Sequence, residues 1–233
     1  MKNITIAIDG FAGCGKSTTA RAVAQKLGYL YLDTGAMYRT VTLFFLRHQI
    51  PYDELNSQME AAIEQIELAF FYEADKPGMR VRLNGEDVSE IIRSPKVSDQ
   101  VSQVARHAIV RKAMVKEQKR LGSQGGVVVD GRDIGTVVFP EAELKVFMTA
   151  SLEARAARRM EEMAAKGFET NLEKIIQNLA ERDRIDSTRK VSPLKQAVDA
   201  IVLDTTHHSI DSQIEQVCQW AKMRMENHLV PLP

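Results

Sequence analysis

The sequence predicts an α/β protein with a five-stranded, doubly wound parallel sheet, on three observations. Short apolar runs at 4–8, 29–32, 127–129, 144–148 and 200–203 have the length of strands. Between most of them lie segments whose apolar residues recur at helical spacing, the order that places crossover helices between parallel strands. The runs Ile4-Thr5-Ile6-Ala7-Ile8 and Val127-Val128-Val129 are rich in β-branched residues with apolar neighbours, which suits strands covered on both faces. A chain of 233 residues with 44 % hydrophobic content fills one such core with an insertion or two, so a single domain over 1–233 is expected.

Lys plus Arg and Asp plus Glu each number 31, which leaves no overall basic field to hold nucleic acid. The partner is expected to be small. Cys14 and Cys218 are too few for a disulfide framework and lack metal-ligand spacing, as a reducing cytoplasm would allow. No apolar stretch approaches 18 residues, and the first strand begins too early for a signal peptide. A cytoplasmic monomer that binds neither membrane nor nucleic acid is the expectation.

The first strand ends at Asp9 and passes into Gly10-Phe11-Ala12-Gly13-Cys14-Gly15-Lys16-Ser17-Thr18. Ala20, Val23, Ala24 and Leu27 then mark a helix face, so the glycine-rich stretch joins a strand to a helix. In such a loop, successive N–H groups turn toward one anion at the positive end of the helix. Lys16 adds a mobile charge for the outer phosphates of a nucleotide, and Ser17 a hydroxyl suited to magnesium.

Gly28 stops the helix, and the second strand ends at Asp33-Thr34-Gly35. Met37, Val41, Phe44 and Phe45 predict a helix closed by Pro51, and 53–68 a more polar one. Arg39 lies in the first turn, the wrong end for the helix dipole, which leaves anion binding or a solvated surface position. From 69 to 93 the pattern changes: turn residues Asp75-Lys76-Pro77-Gly78 and Asn84-Gly85 bracket alternating Val and Arg. This predicts a small antiparallel β unit inserted on the substrate side. Ser94-Pro95 opens a long helical region that ends at Gly122.

Asp130 ends the strand 127–129 and faces the glycine loop as a water-mediated magnesium partner or as a loop cap. Ser151 caps a helix bearing Arg155, Arg158 and Arg159 on one face, where like charges repel unless an anion bridges them or Glu161 and Glu162 compensate. Gly167 separates it from a second helix that ends in a charged run with Arg182, Asp186 and, beyond it, Arg189. This pair reads as a short helical lid over 153–170. His207 and His208 read as loop residues without a metal. So many arginines beside a nucleotide loop favour a kinase with an anionic acceptor over simple nucleotide hydrolysis. A kinase of another small anion and a nucleotide-switch module remain as alternatives, although the chain lacks the NKxD element of a guanine switch.

The motifs DGxAGxGKST, LDTGAMYR at 32–39, LNGEDV at 83–88, VVVDGRDIGTVVFP at 127–140 and VSPL at 191–194 resemble bacterial cytidylate kinases, in the same order and from Ile4 to about Val217. The resemblance implies a P-loop nucleoside monophosphate kinase that uses ATP and Mg2+ to convert CMP or dCMP to CDP or dCDP. It implies ATP held by residues 10–18, and a monophosphate-binding region over 35–110 that includes the insertion at 69–93. Thr34, Arg39, Arg132 and Arg189 would hold the acceptor phosphate; Ser102, Arg111 and Asp133 would meet the cytosine; Arg182 and Asp186 would reach the ribose side. Lys16, Arg132, Arg155, Arg159 and Arg182 would neutralise the transferring group. Phe11 stands where the family commonly has proline, and keeps an N–H that proline lacks. No general base is required, because a monophosphate oxygen is already anionic.

Overall fold

The computed structural model describes residues 3–73, 75–165, 167–169 and 171–226. The chain divides into two compact units, one of residues 1–32, 121–188 and 192–233, the other of 33–120 with 189–191. The expected region 35–110 falls inside the second.

The five strands are β1 (Thr5–Gly10), β2 (Leu30–Asp33), β6 (Val127–Gly131), β7 (Leu144–Thr149) and β8 (Ile201–Asp204), in the spatial order β2-β6-β1-β7-β8. Central β1 pairs in parallel with β6 on one side and β7 on the other, and β7 pairs in parallel with β8. Ile6, Ile8, Val128, Leu144, Val146 and Met148 are fully enclosed, which is why these strands are apolar without alternation. On this sheet pack α1 (Lys16–Leu27) and α8 (Ile210–Glu226), which add Ala20, Val23, Ile214 and Val217 to the core. Gly28 ends α1 in a left-handed cap at φ 68°. Helices α6 (Leu152–Ala165) and α7 (Leu172–Thr188) form a second, smaller cluster in which Ala156, Ile175 and Leu179 close over Ala12.

In the second unit, α2 (Thr34–Arg47) packs against α4 (Pro95–Ala105). α3 (Ser57–Glu64) is shorter than the stretch 53–68 suggests, and begins at an Asn56 cap. The inserted unit is a three-stranded antiparallel sheet of β3 (Leu68–Glu73), β4 (Lys76–Leu83) and β5 (Glu86–Asp87). Asn84 and Gly85, at φ 49° and 85°, make the tight turn their sequence predicts. The other reversal differs from expectation. Strand β4 already begins at Lys76, so Pro77 and Gly78 lie inside it, beside a register shift between Tyr72 and Glu73. Among the described residues β5 pairs with Arg82 and Leu83, a ladder that does not extend to Pro77.

The long helical region expected from 95 to Gly122 is made of two helices, α4 and α5 (Ala108–Leu121). Arg106 donates to the carbonyl of Asp53, and the His107 ring lies 2.7 Å from the carbonyl of Tyr52. These tertiary bonds turn the backbone at 106–107. A further element absent from the sequence reading is a π-helical turn, Ile134–Val138, directly after Arg132 and Asp133.

Candidate active site

The glycine loop follows β1 and runs into α1. Gly10 has φ 147°, and a Cβ there would stand 1.9 Å from the Met148 carbonyl oxygen, so only glycine lets β1 and β7 approach at this point. Gly13 and Gly15 also have positive φ, at 77° and 92°, and Gly15 is the residue from which α1 starts. This backbone cradle at a helix start suits the phosphates of a nucleotide.

Lys16 is buried, its ammonium donating to the carbonyl of Phe11 and lying 3.5 Å from Cys14 Sγ. Burial lowers its pKa below the ordinary lysine value, with nearby Arg132 adding to the effect. Cys14 is fully buried, and its thiol contacts the carbonyls of Phe11 and Met148 at 3.1 and 3.4 Å. Cys14 therefore holds the loop from inside. The Phe11 ring stands edge-on to Phe147 at 5.9 Å, with the Arg155 guanidinium 5.4 Å from its centre. Phenylalanine at this position thus fills space between β7 and α6.

Ser17 donates to Asp130 Oδ2 at 2.7 Å, and the Tyr31 hydroxyl donates to Oδ1 at 2.9 Å. A serine hydroxyl and a buried carboxylate side by side at the phosphate loop are hard oxygen donors of the kind magnesium takes. Among the described residues no group of three or more His, Cys, Asp or Glu forms a closed metal cage.

Arg155, Arg158 and Arg159 do not share one anion. Arg155 is buried and donates to the carbonyls of Ala150 and Ala12, and to Asp183 at 2.6 Å. Asp183 in turn accepts the Ala12 N–H. Arg158 donates to Thr205, and Arg159 pairs with Glu162 at 3.2 Å. The repulsion expected along this face is relieved by three separate partners. On α7, Arg182 is half-buried and Asp186 buried. Asp186 accepts from Arg132 Nε at 2.8 Å. Burial opposes the Arg132 charge, but the attraction of Asp186 and its hydrogen bond outweigh it, so the guanidinium pKa is raised. Asp133 is buried beside Arg132, at the start of the π-helical turn.

The second unit carries Thr34, Arg39, Ser102, Arg111 and Arg189. Thr34, Ser102, Arg111 and Arg189 are all buried. Arg111 donates to the carbonyl of Ala105 at the end of α4, and its guanidinium lies 5.3 Å from the centre of the Tyr38 ring. Arg39 pairs with Asp33 at 3.0 Å, and Arg93 reaches the same carboxylate at 3.3 Å. Asp33 also caps α2 through the Ala36 N–H.

Sequence reasoning missed Asp9, Tyr31, Arg93, Asp183 and Thr205. The strongest available signal was Asp9, an acid closing a strand otherwise buried on both faces. Its carboxylate accepts the N–H groups of Ile134 and Gly135, both at 2.8 Å. Burial raises its pKa to about 6, with Asp133 pushing the same way, against the two N–H bonds and Lys16.

The sequence matches the family described as cytidylate kinase over residues 6–223. It is 50 % identical over 216 residues to the cytidylate kinases of Bacillus thuringiensis (strain Al Hakam) and Bacillus cereus (strain AH187), covering 93 % of this chain and 95 % of each relative. Among solved structures, an uncharacterized protein from Eubacterium ventriosum ATCC 27560 superposes with a TM-score of 0.50 at 8 % identity, over 95 % of this chain and 99 % of that one, a likeness of fold alone. With its phosphate loop, Ser17–Asp130 pair and arginine-bearing helices matched along nearly the whole length, the chain belongs to the cytidylate kinase family.

Proposed function

We infer that the protein transfers the γ-phosphoryl group of ATP to CMP or dCMP, giving CDP or dCDP. The observation that carries this reading is the phosphate loop with Ser17 bonded to Asp130, in a chain matched to this family over residues 6–223. Residues 10–18 hold the ATP phosphates. Ser17, and Asp130 through water, would hold Mg2+, which would supply charge neutralisation for the nucleotide phosphates.

For the acceptor, Thr34, Arg39, Arg132 and Arg189 bind the phosphate. Ser102, Arg111 and Asp133 meet the base, and Arg182 and Asp186 the ribose. Supporting this, Arg39 donates to both oxygens of Asp33 and Arg132 Nε to one oxygen of Asp186, the charge-assisted bonding that a guanidinium also gives a phosphate. The acceptor oxygen arrives as an anion, so the chain's residues align and neutralise rather than remove a proton. Lys16, Arg132, Arg155, Arg159 and Arg182 serve the charge of the transferring group. We place the enzyme in the cytoplasm as a monomer. Cys14 and Cys218 are both free thiols, and no described helix is long and apolar enough to cross a membrane.

Incubation with ATP, magnesium and a panel of nucleoside monophosphates tests the reading. CDP and dCDP should form fastest. Equal turnover of a purine monophosphate, or ATP hydrolysis that ignores the acceptor, would overturn it in favour of another kinase or a nucleotide switch.

A further inference from the structure

A carboxylate closed off from water costs several kcal/mol unless its oxygens find donors, and Asp9 is only 5 % exposed. Its donors are not in the phosphate loop that follows it. Oδ1 accepts the N–H of Ile134 and Oδ2 that of Gly135, so one rigid, planar group grips two consecutive amides 125 and 126 residues away. These amides follow directly on Arg132 and Asp133. A Cβ at Gly135 would stand 3.1 Å from the Lys145 side chain, a tight contact, and 3.5 Å from Asp9 Oδ2, an ordinary one. From the other side, the carbonyl of Asp133 accepts from Val137 and Val138, which fixes the turn once its first two amides are held.

We propose that Asp9 is a positioning residue, whose carboxylate, through the Ile134 and Gly135 amides, sets Arg132 and Asp133 at a fixed place relative to the phosphate loop that begins at the next residue. The inference rests on the reading that Arg132 and Asp133 contact the monophosphate substrate. Phosphoryl transfer needs acceptor and donor aligned, and a shift of about 1 Å in a positioning group can cost on the order of 100-fold in rate. In this arrangement one side chain links the element for ATP to the element for CMP.

Asp9→Asn separates positioning from space-filling, because the two side chains have the same size and shape. Asparagine keeps one oxygen for one amide and turns its NH2 toward the other, replacing an acceptor by a donor. The KM for CMP should rise roughly 10-fold or more while the KM for ATP changes less than about threefold, because the loop glycines and Lys16 are untouched. The backbone amide resonances of Ile134 and Gly135 should move, and their hydrogen exchange quicken. Unmoved amides with a CMP constant within about twofold of wild type would overturn the proposal, as would equal rises for CMP and ATP. Should Asp9→Asn fail to fold, Asp9→Ser is judged by the same readouts. Arg132→Ala and Asp133→Ala run alongside. If neither raises the KM for CMP, the substrate-site reading fails, while the amide resonances still decide whether Asp9 fixes the turn.

Discussion

Lys16 lies in a buried position where burial itself disfavours its charge, and its ammonium donates to the Phe11 carbonyl. A phosphate oxygen offers the ammonium a stronger, anionic partner, and the gain grows as charge develops on the transferring group. Lys16→Met should therefore lower kcat by roughly 100- to 1,000-fold with the fold intact, as single-turnover kinetics and circular dichroism would show. A near-normal kcat would remove Lys16 from the chemistry. Asp133 is the residue we propose for base choice. Cytosine presents an amine donor where uracil presents a carbonyl, and an ionised carboxylate only accepts. CMP should exceed UMP in kcat/KM by roughly two to five orders of magnitude, and Asp133→Ala should erase most of that gap by harming CMP. Full discrimination in Asp133→Ala would place base recognition elsewhere.

At the scale of elements, α6 and α7 have a fixed base and a freer far end. Arg155 is tied to Ala12 and Asp183, and Ala156, Ile175 and Leu179 pack together, whereas Arg159, Glu161, Glu162, Ala164 and Ala165 are partly or wholly exposed. Hydrogen exchange should show amides 159–165 gaining protection roughly 10-fold when ATP analogue and CMP bind together, with 155–156 and 175–179 protected throughout. Equal protection of 159–165 in both states would argue against a closing lid. This division was not legible in the sequence, where all three arginines read as one charged face. Their partners, Asp183, Thr205 and Glu162, are chosen by tertiary packing as well as by helical spacing. The sheet strands and the phosphate loop were legible, because burial on both faces and a left-handed backbone each narrow the residue choice at single positions. The break at Arg106–His107 and the π-helical turn at 134–138 were not, since carbonyls of Tyr52 and Asp53 and the carboxylate of Asp9 decide them from far along the chain.

At the scale of the whole molecule, Asp9 makes stability depend on pH in the direction opposite to most paired carboxylates. Its pKa is raised from 3.8 to about 6, so the folded protein holds this proton more tightly than the unfolded chain. Its stabilising effect is complete below about pH 4, is lost as pH rises toward 6, and leaves a constant penalty above. A shift of this size corresponds to about 3 kcal/mol, at 1.36 kcal/mol per pH unit. Glu86, Glu181 and Asp204 act the other way, held low by Arg47, Arg184 and the Thr206 hydrogen bonds, but they are fully exposed and screened by solvent. Because all of these sum in a single melting curve, the Asp9 contribution is read as a difference. Urea unfolding of wild type and Asp9→Asn at pH values from 4 to 7.5 should show the variant gaining on wild type by roughly 2.5 kcal/mol across that range, with most of the change below pH 6. Lys16 and Asp133, the charged neighbours that bear on Asp9, are present in both proteins. A difference that stays flat with pH would mean that Asp9 titrates alike in the folded and unfolded chains, and that its two amide bonds fully offset the cost of its burial.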